Sequence, residues 1–325
     1  MKHILLLGAG FSRNWGGWLA SEAFEYLLGH PNIMTNDTLK KILWNKQSHG
    51  GFEEALAELQ NNAFSNSLHD KDNLKLLESA ILDMFNEMNN AFSKIIDWDL
   101  QGPNKSIGKS INDFLKKFDA IYTLNQDLLL EYHYIGLSQG YLSDIKIHTN
   151  QSNPYSPTHD WAVSKLIPET VFKDIHPNPQ PIYKLHGSSN WVDDDGNPLL
   201  ILGGNKQNAI YKLPILEFYQ EQFKNDLCSP NARLMVIGYG FGDQHINELI
   251  QLSKESGLKI FNINPDGAEQ MRKQNRTRDS GQIPVPSELE PLFQDMIMGA
   301  SRRNLKEIFG GDALEYSKVH RFFNS

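Results

Sequence analysis

Asn125, Asp127 and His186 are the side chains of this 325-residue chain best suited to fix a hydroxyl and take a proton beside a reacting carbon. Asn125 and Asp127 lie in TLNQD (123–127), and His186 lies in KLHGS (184–188). A neutral imidazole accepts a proton near pH 7, and a carboxamide orients a hydroxyl or a water. Taken singly, each has a plain structural explanation: Asn125 can satisfy a turn, and His186 can be a strand-end histidine. Their company gives them weight. GAGFS (8–12) and GYGFGD (238–243) are glycine-spaced loops of the kind whose backbone N–H groups approach phosphate oxygens. A pyrophosphate between these loops leaves Asn264 to bond a ribose hydroxyl, with Asn125, Asp127 and His186 at the reacting end. Ser12 and Asp243 can also cap helices, and Asp243 and His245 are taken as helix-start residues.

Five apolar runs must position these groups: HILLLGAG, FDAIYTLNQD, PIYKLHGSSNW, ARLMVIGYGFGD and GLKIFNINPD. Each predicts a buried parallel strand covered by helices. In an open parallel sheet, ligands bind outside the carboxyl ends of the strands, where all the polar clusters fall. The expected fold class is α/β, a Rossmann-like doubly wound parallel sheet with helices on both faces, plus a helical insertion module. The sheet domain is expected over 1–19 and 113–280, with a proline-rich irregular excursion at 141–180. Residues 20–112 read as the helical insertion, and 281–325 as a C-terminal helical segment. Leu74, Leu77, Ile81, Phe85, Met88, Phe92 and Ile95 recur every three or four residues, predicting a long packing helix over 74–98 with an apolar core stripe. WVDDDGNPL predicts a hairpin turn on Asp195-Gly196, its aspartates a solvated tip.

Several classes are disfavoured. The dinucleotide fingerprint G-x-G-x-x-G fails at Arg13, which argues against an ordinary dehydrogenase. A single cysteine, Cys228, permits neither an intrachain disulfide nor a thiolate zinc cage, so no metal is expected. A net charge of −8 argues against a broad nucleic-acid footprint. The opening apolar run is too short for a signal core or a membrane span, and a cytoplasmic protein without membrane attachment is expected. The basic cluster Arg272, Lys273, Arg276 and Arg278 reads as solvated surface.

The ordered set of motifs resembles the sirtuin, or silent-information-regulator, family. GAGFS resembles its opening GAG-x-S, TLNQD its T-x-N-x-D, KLHGS its HG, and NINPD (262–266) its late I-N-P. YTLNQDLLLE, YKLHGSSNW and VIGYGFGDQHINELI look more closely like the prokaryotic sirtuin-like effector branch, many of whose members deplete NAD in antiphage defence. The resemblance spans roughly residues 1–15 and 115–270. Two departures stand out: the family's four-cysteine zinc module has no counterpart, and RNWGGWLASEAF replaces its G-I-P-D-F-R-like segment.

Carried over, the resemblance implies that Gly8, Ala9, Gly10 and Ser12 line the phosphates of NAD, which is the substrate. It implies that Asn125 holds the nicotinamide ribose and a water, that Asp127 contacts the carboxamide or supports Asn125, and that His186 is the general base. Gly238, Gly240 and Asn264 would serve the adenosine half. The expected activity is NAD glycohydrolase, releasing nicotinamide and ADP-ribose, in a regulated antiphage effector. Such an enzyme is expected to be gated by homo-oligomerisation or by a partner sensor or ATPase. A protein deacylase or ADP-ribosyl transferase, and a non-catalytic NAD or ADP-ribose sensor or structural subunit, are the alternatives.

Overall fold

The computed structural model describes residues 1–47, 50–64, 68–100, 109–135, 139–147, 161, 164–172, 180–203, 206–271 and 290–324. In chain order the strands are β1 (His3–Leu7), β2 (Ala120–Thr123), β3 (Tyr141–Leu142), β4 (Ile145–Ile147), β5 (Leu166–Pro168) and β6 (Pro181–Lys184). They continue with β7 (Gly187–Val192), β8 (Pro198–Leu200), β9 (Arg233–Ile237), β10 (Lys259–Ile263) and β11 (Ile297–Ser301). Seven strands form one sheet in the order β11-β10-β9-β1-β2-β6-β3, and every pairing in it is parallel. This is the α/β, Rossmann-like parallel sheet expected from the five apolar runs.

β1 sits at the centre because both its faces are apolar: Ile4, Leu5, Leu6 and Leu7 are fully buried. Leu5 pairs with Ile121 of β2 on one side and Met235 of β9 on the other. Successive crossovers therefore leave β1 in opposite directions, opening a crevice above its carboxyl end.

Between β1 and β2 the elements among the described residues are all helices, beginning with the short turns Ala9–Ser12 and Arg13–Trp15 and continuing with Ala20–Gly29, Pro31–Met34, Asp37–Asn45, Gly51–Phe64, Leu68–Phe92 and Ile111–Leu115. The long helix runs Leu68–Phe92 rather than 74–98. Lys94 and Ile95 donate three residues back, to Ala91 and Phe92, which tightens the last turn and ends it. Leu77, Ile81, Phe85, Met88 and Phe92 are buried as the stripe predicts.

Two segments depart from expectation. Residues 281–325 are not wholly helical, because β11 adds to the sheet edge beside β10 and delivers the chain after it to the carboxyl-end face. Its IMGAS sequence carries a glycine, Gly299, packed under the Phe261 ring, where a Cβ would lie 2.6 Å from Cε2. The strand is held by its pairing with β10 and by Ile297 and Met298 packed on the core, but its short sequence ends in small residues, so the strand signal was weak. Within 141–180, β3 extends the main sheet, while β4 and β5 join β7 and β8 in a four-stranded sheet. The hairpin lies where predicted, with Asp193 Oδ1 accepting from Asp195 and Asn197 and Gly196 at φ +84°. The basic cluster 272–278 lies outside the described residues.

Candidate functional site

A cleft of about 860 Å³ opens at the carboxyl ends of the strands, within the usual range for small-molecule sites. Gly8, Ala9, Gly10, Asn125, Asp127, His186, Gly238, Gly240 and Asn264 all line it. Ser12 does not. It is buried beneath the cleft, where it links two of the others.

The glycine loops after β1 and β9 press directly on one another. Gly8 N–H donates to Ile237 O at 3.0 Å, and Gly10 N–H donates to Gly238 O at 2.9 Å. A Cβ on Gly8 would stand 2.7 Å from Gly238 O, and one on Gly10 would stand 2.6 Å from Gly238 Cα. Gly238 itself has φ +66°, a conformation that favours glycine. Loop-to-loop contact thus dictates these glycines, and the N–H groups of Gly8, Gly10 and Gly238 are already committed to carbonyls. The expected phosphate cradle differs accordingly. The cationic side chains at the cleft are Arg13, paired with Glu22; Lys206, paired with Glu53 and Asp243; Arg302, paired with Glu269; Arg303, paired with Glu307; and Lys306. The last three come from the chain following β11, whose pairing sequence reasoning missed.

Asn125 follows β2. Its Nδ2 donates to Gly8 O and to Ser12 Oγ, each at 3.0 Å. Ser12 Oγ in turn donates to Asp127 Oδ2 at 2.7 Å. The chain of bonds has one direction, from amide to hydroxyl to carboxylate. Because a carbonyl can only accept, the amide nitrogen must face Gly8, and Asn125 Oδ1 is left as an acceptor for the cleft. Asp127 supports Asn125 through Ser12, and it also accepts from Leu129 N–H at 3.1 Å. Burial pushes the Asp127 carboxyl above its ordinary range, with the nearby Lys184 ammonium and the Ser12 hydrogen bond opposing.

His186 follows β6 and forms part of the cleft floor, only 2% exposed. Its Nε2 lies 3.1 Å from Nε2 of His245. Burial pushes His186 down to about 3; the Asp243 carboxylate opposes this, while Lys206 and His245 add to it. His245 is lowered for the same first reason, with Asp243 and Glu248 opposing and Lys206 adding. Both rings are therefore neutral near pH 7.

Asp243 and His245 are more than helix-start residues. Asp243 stands at the N-terminus of the helix Gln244–Leu252 but makes no side-chain cap. Its Oδ1 instead accepts from Lys206 Nζ at 2.9 Å, and Lys206 also reaches Glu53 at 2.8 Å. Burial pushes Asp243 upward, yet His186 and Lys206 outweigh it and hold the carboxyl below its usual range. The two-residue spacing of Asp243 and His245 in GDQHIN was the available sequence signal; Lys206 and Glu53 carried none. By residue type, His186, Asp243 and His245 could hold a metal ion, their ligand atoms lying within 4.8 Å of one another. The Lys206 ammonium already supplies a cation to that carboxylate.

The helical insertion closes one side of the cleft with Phe52, Glu53, Met84, Phe85 and Met88. The Met and Phe stripe thus packs the core and also faces the cleft. Asn89 ties this helix to the sheet, donating to Ser189 Oγ at 3.0 Å and accepting from Leu128 N–H at 2.9 Å.

Residues 119–279 match the SIR2-like domain family. That match spans β2, β6, β9 and β10, and with them Asn125, Asp127, His186, Asp243, His245 and Asn264. Among solved structures, the crystal structure of a Sir2 homolog–NAD complex is similar, at 14% identity and a TM-score of 0.39 over 99% of this chain and 91% of that one. No curated protein sequence matches the chain. Among the described residues, no helix is long and apolar enough to cross a membrane.

Proposed function

We propose that the cleft binds NAD and hydrolyses its nicotinamide N-glycosidic bond, giving nicotinamide and ADP-ribose. The observation that carries this reading is the Asn125 amide, held by Gly8 and Ser12 through its nitrogen at a position that lines the same cleft as His186. The similarity of residues 119–279 to SIR2-like domains supports a nicotinamide dinucleotide as the ligand.

The leaving nicotinamide is cationic in NAD and departs as a neutral ring, so no general acid is required. The site has to hold the ribose, orient a water and accept one proton. Asn125 Oδ1 accepts from a ribose hydroxyl or from the water, and its orientation is set in advance by Gly8 and Ser12. His186, neutral at pH 7, is the group that takes the proton. Arg302, Arg303, Lys306 and Asn264 lie with Gly238 and Gly240 along the rest of the cleft and suit the pyrophosphate and the adenosine half. Asp127 acts as a positioning residue through Ser12.

In the cell, this activity fits a regulated effector that depletes NAD during antiphage defence, gated by assembly of the chain with itself or with a sensor or ATPase partner. Glu53, reaching the site from the insertion, gives such gating a physical route. Deacylation of lysine and ADP-ribosyl transfer are disfavoured by the single cysteine, which leaves no four-cysteine zinc module, and deacylation also by the sequence departure after Ser12.

The test is to incubate the purified chain with NAD and separate the products by chromatography, with NAD binding followed by calorimetry. Asn125→Ala is expected to bind NAD while losing roughly a hundredfold in nicotinamide release, the scale for an oriented polar group acting in the transition state. Binding without nicotinamide release by the wild type would favour the sensor reading instead.

A further inference from the structure

His186 presents a difficulty for simple base catalysis. A ring this deeply buried gains little by holding a proton, because its charge would be left in a medium with low dielectric. Its contact with His245 offers a resolution. At 3.1 Å the two Nε2 atoms are within hydrogen-bond distance, and with both rings neutral only one hydrogen can lie between them. If that hydrogen belongs to His186, Nδ1 of His186 carries the lone pair for the substrate side. His245 then accepts at Nε2.

We propose that His186 and His245 form a two-histidine relay, in which His245 positions His186 and receives the proton that the reaction releases. The proposal rests on the NAD-hydrolysis reading and adds a proton path to it. In the step, a water O–H bond breaks and its hydrogen bonds to His186 Nδ1. The Nε2–H bond of His186 breaks as an Nε2–H bond forms on His245. The water's electron pair forms the new C–O bond at the anomeric carbon, and the glycosidic C–N pair goes to the nicotinamide nitrogen and neutralises it. His186 ends neutral, and the positive charge resides on His245.

The surroundings suit that outcome. His186 is buried, whereas His245 is half-buried and so closer to solvent. The charged groups facing the pair are Asp243, Lys206 and Glu248, with Glu53 behind Lys206. Asp243 stabilises a cationic His245, and Lys206 limits how strongly it does so. Lys206 is in turn divided between Asp243 and Glu53, which belongs to the helical insertion. A shift of that insertion would change how much of the Asp243 charge reaches the relay.

Two measurements on the full chain test this. His245→Gln keeps hydrogen-bonding capacity but cannot carry a proton. The relay requires it to lose about a hundredfold in kcat, with the same loss expected of His245→Ala, and KM for NAD unchanged. Retention of wild-type kcat by His245→Gln would overturn the relay. Imidazole nitrogen NMR of the wild type should show a single hydrogen shared between the two Nε2 atoms, and separate rings without that shared hydrogen would also overturn it. The NMR result stands apart from turnover. A wild type that releases no nicotinamide therefore removes the functional reading, while the NMR still decides the pairing.

Discussion

Lys184 and His186 are two residues apart in the chain, and each anchors a polar cluster at the carboxyl end of β6, but the clusters behave as opposites. Lys184 donates to Glu131 Oε1 and to Asp127 O, both at 2.6 Å, and the Lys184 and Glu131 side chains are 2% and 1% exposed. Its charge is matched and enclosed. His186, equally buried, lines the cleft, and its neighbours Asp243 and Lys206 extend to Glu53 on a separate module. Burial raises the Glu131 carboxyl, opposed by Lys184, and burial lowers His186. The same desolvation thus meets a saturated ion pair in one cluster and an unsaturated proton acceptor in the other. Burial does not distinguish structure from chemistry; what remains available to a ligand does.

The largest expected effect breaks the closed cluster. Glu131→Gln takes from the buried Lys184 ammonium the carboxylate it donates to, leaving only the Asp127 carboxyl nearby, and should cost about 3–5 kcal/mol, read as a drop in the urea midpoint. His186→Gln, with no buried ion to strand, should lower that midpoint far less while abolishing turnover. Equal destabilisation by the two would erase the contrast.

Gly10→Ala tests whether loop contact dictates the glycines. The added methyl meets the Gly238 backbone, and overpacking of this kind costs about 1–3 kcal/mol. A variant as stable as the wild type would show that the loops can part. Ser12→Ala should cost about 1–2 kcal/mol, leaving a buried acceptor and an amide hydrogen unpaired, and it should lower kcat more than NAD binding. Unchanged kcat would remove Ser12 and Asp127 from the positioning of Asn125.

The smallest effect is on stability against pH. His186 is held near 3 in the fold against an ordinary 6.5, and His320 is pushed to about 4 by burial. The unfolded chain therefore binds more protons between these values, so stability is full above 6.5 and falls as pH drops through the window. Between pH 7 and pH 6 the loss from His186 should be less than about 1 kcal/mol, and chemical denaturation at the two values should show it shrinking in His186→Gln. The opposite sign comes from Asp127, whose raised carboxyl gains stability on protonation.

The sheet was legible because its central strands are continuous apolar runs buried on both faces, which only parallel strands between helices accommodate. β11 was hidden because IMGAS has only two large apolar residues before Gly299, Ala300 and Ser301, and its place is set by pairing with β10. The placement of Asn125 and His186 at one cleft followed from the strand-end rule. The direction of the Asn125 amide did not, since it depends on which atoms of Gly8 and Ser12 face it. Lys206 and Glu53 were illegible for a related reason: an ion pair between distant segments leaves no periodicity. His245 lay in plain view beside Asp243, but a polar pair at a helix start has a local explanation that the cap geometry rules out for Asp243.

The most direct test of the central claim is a single-turnover assay at pH 7, with the full chain in excess over NAD and products separated by chromatography. The account predicts equal amounts of nicotinamide and ADP-ribose from the wild type and intact NAD from His186→Ala. Intact NAD from both, or equal release by both, would contradict it.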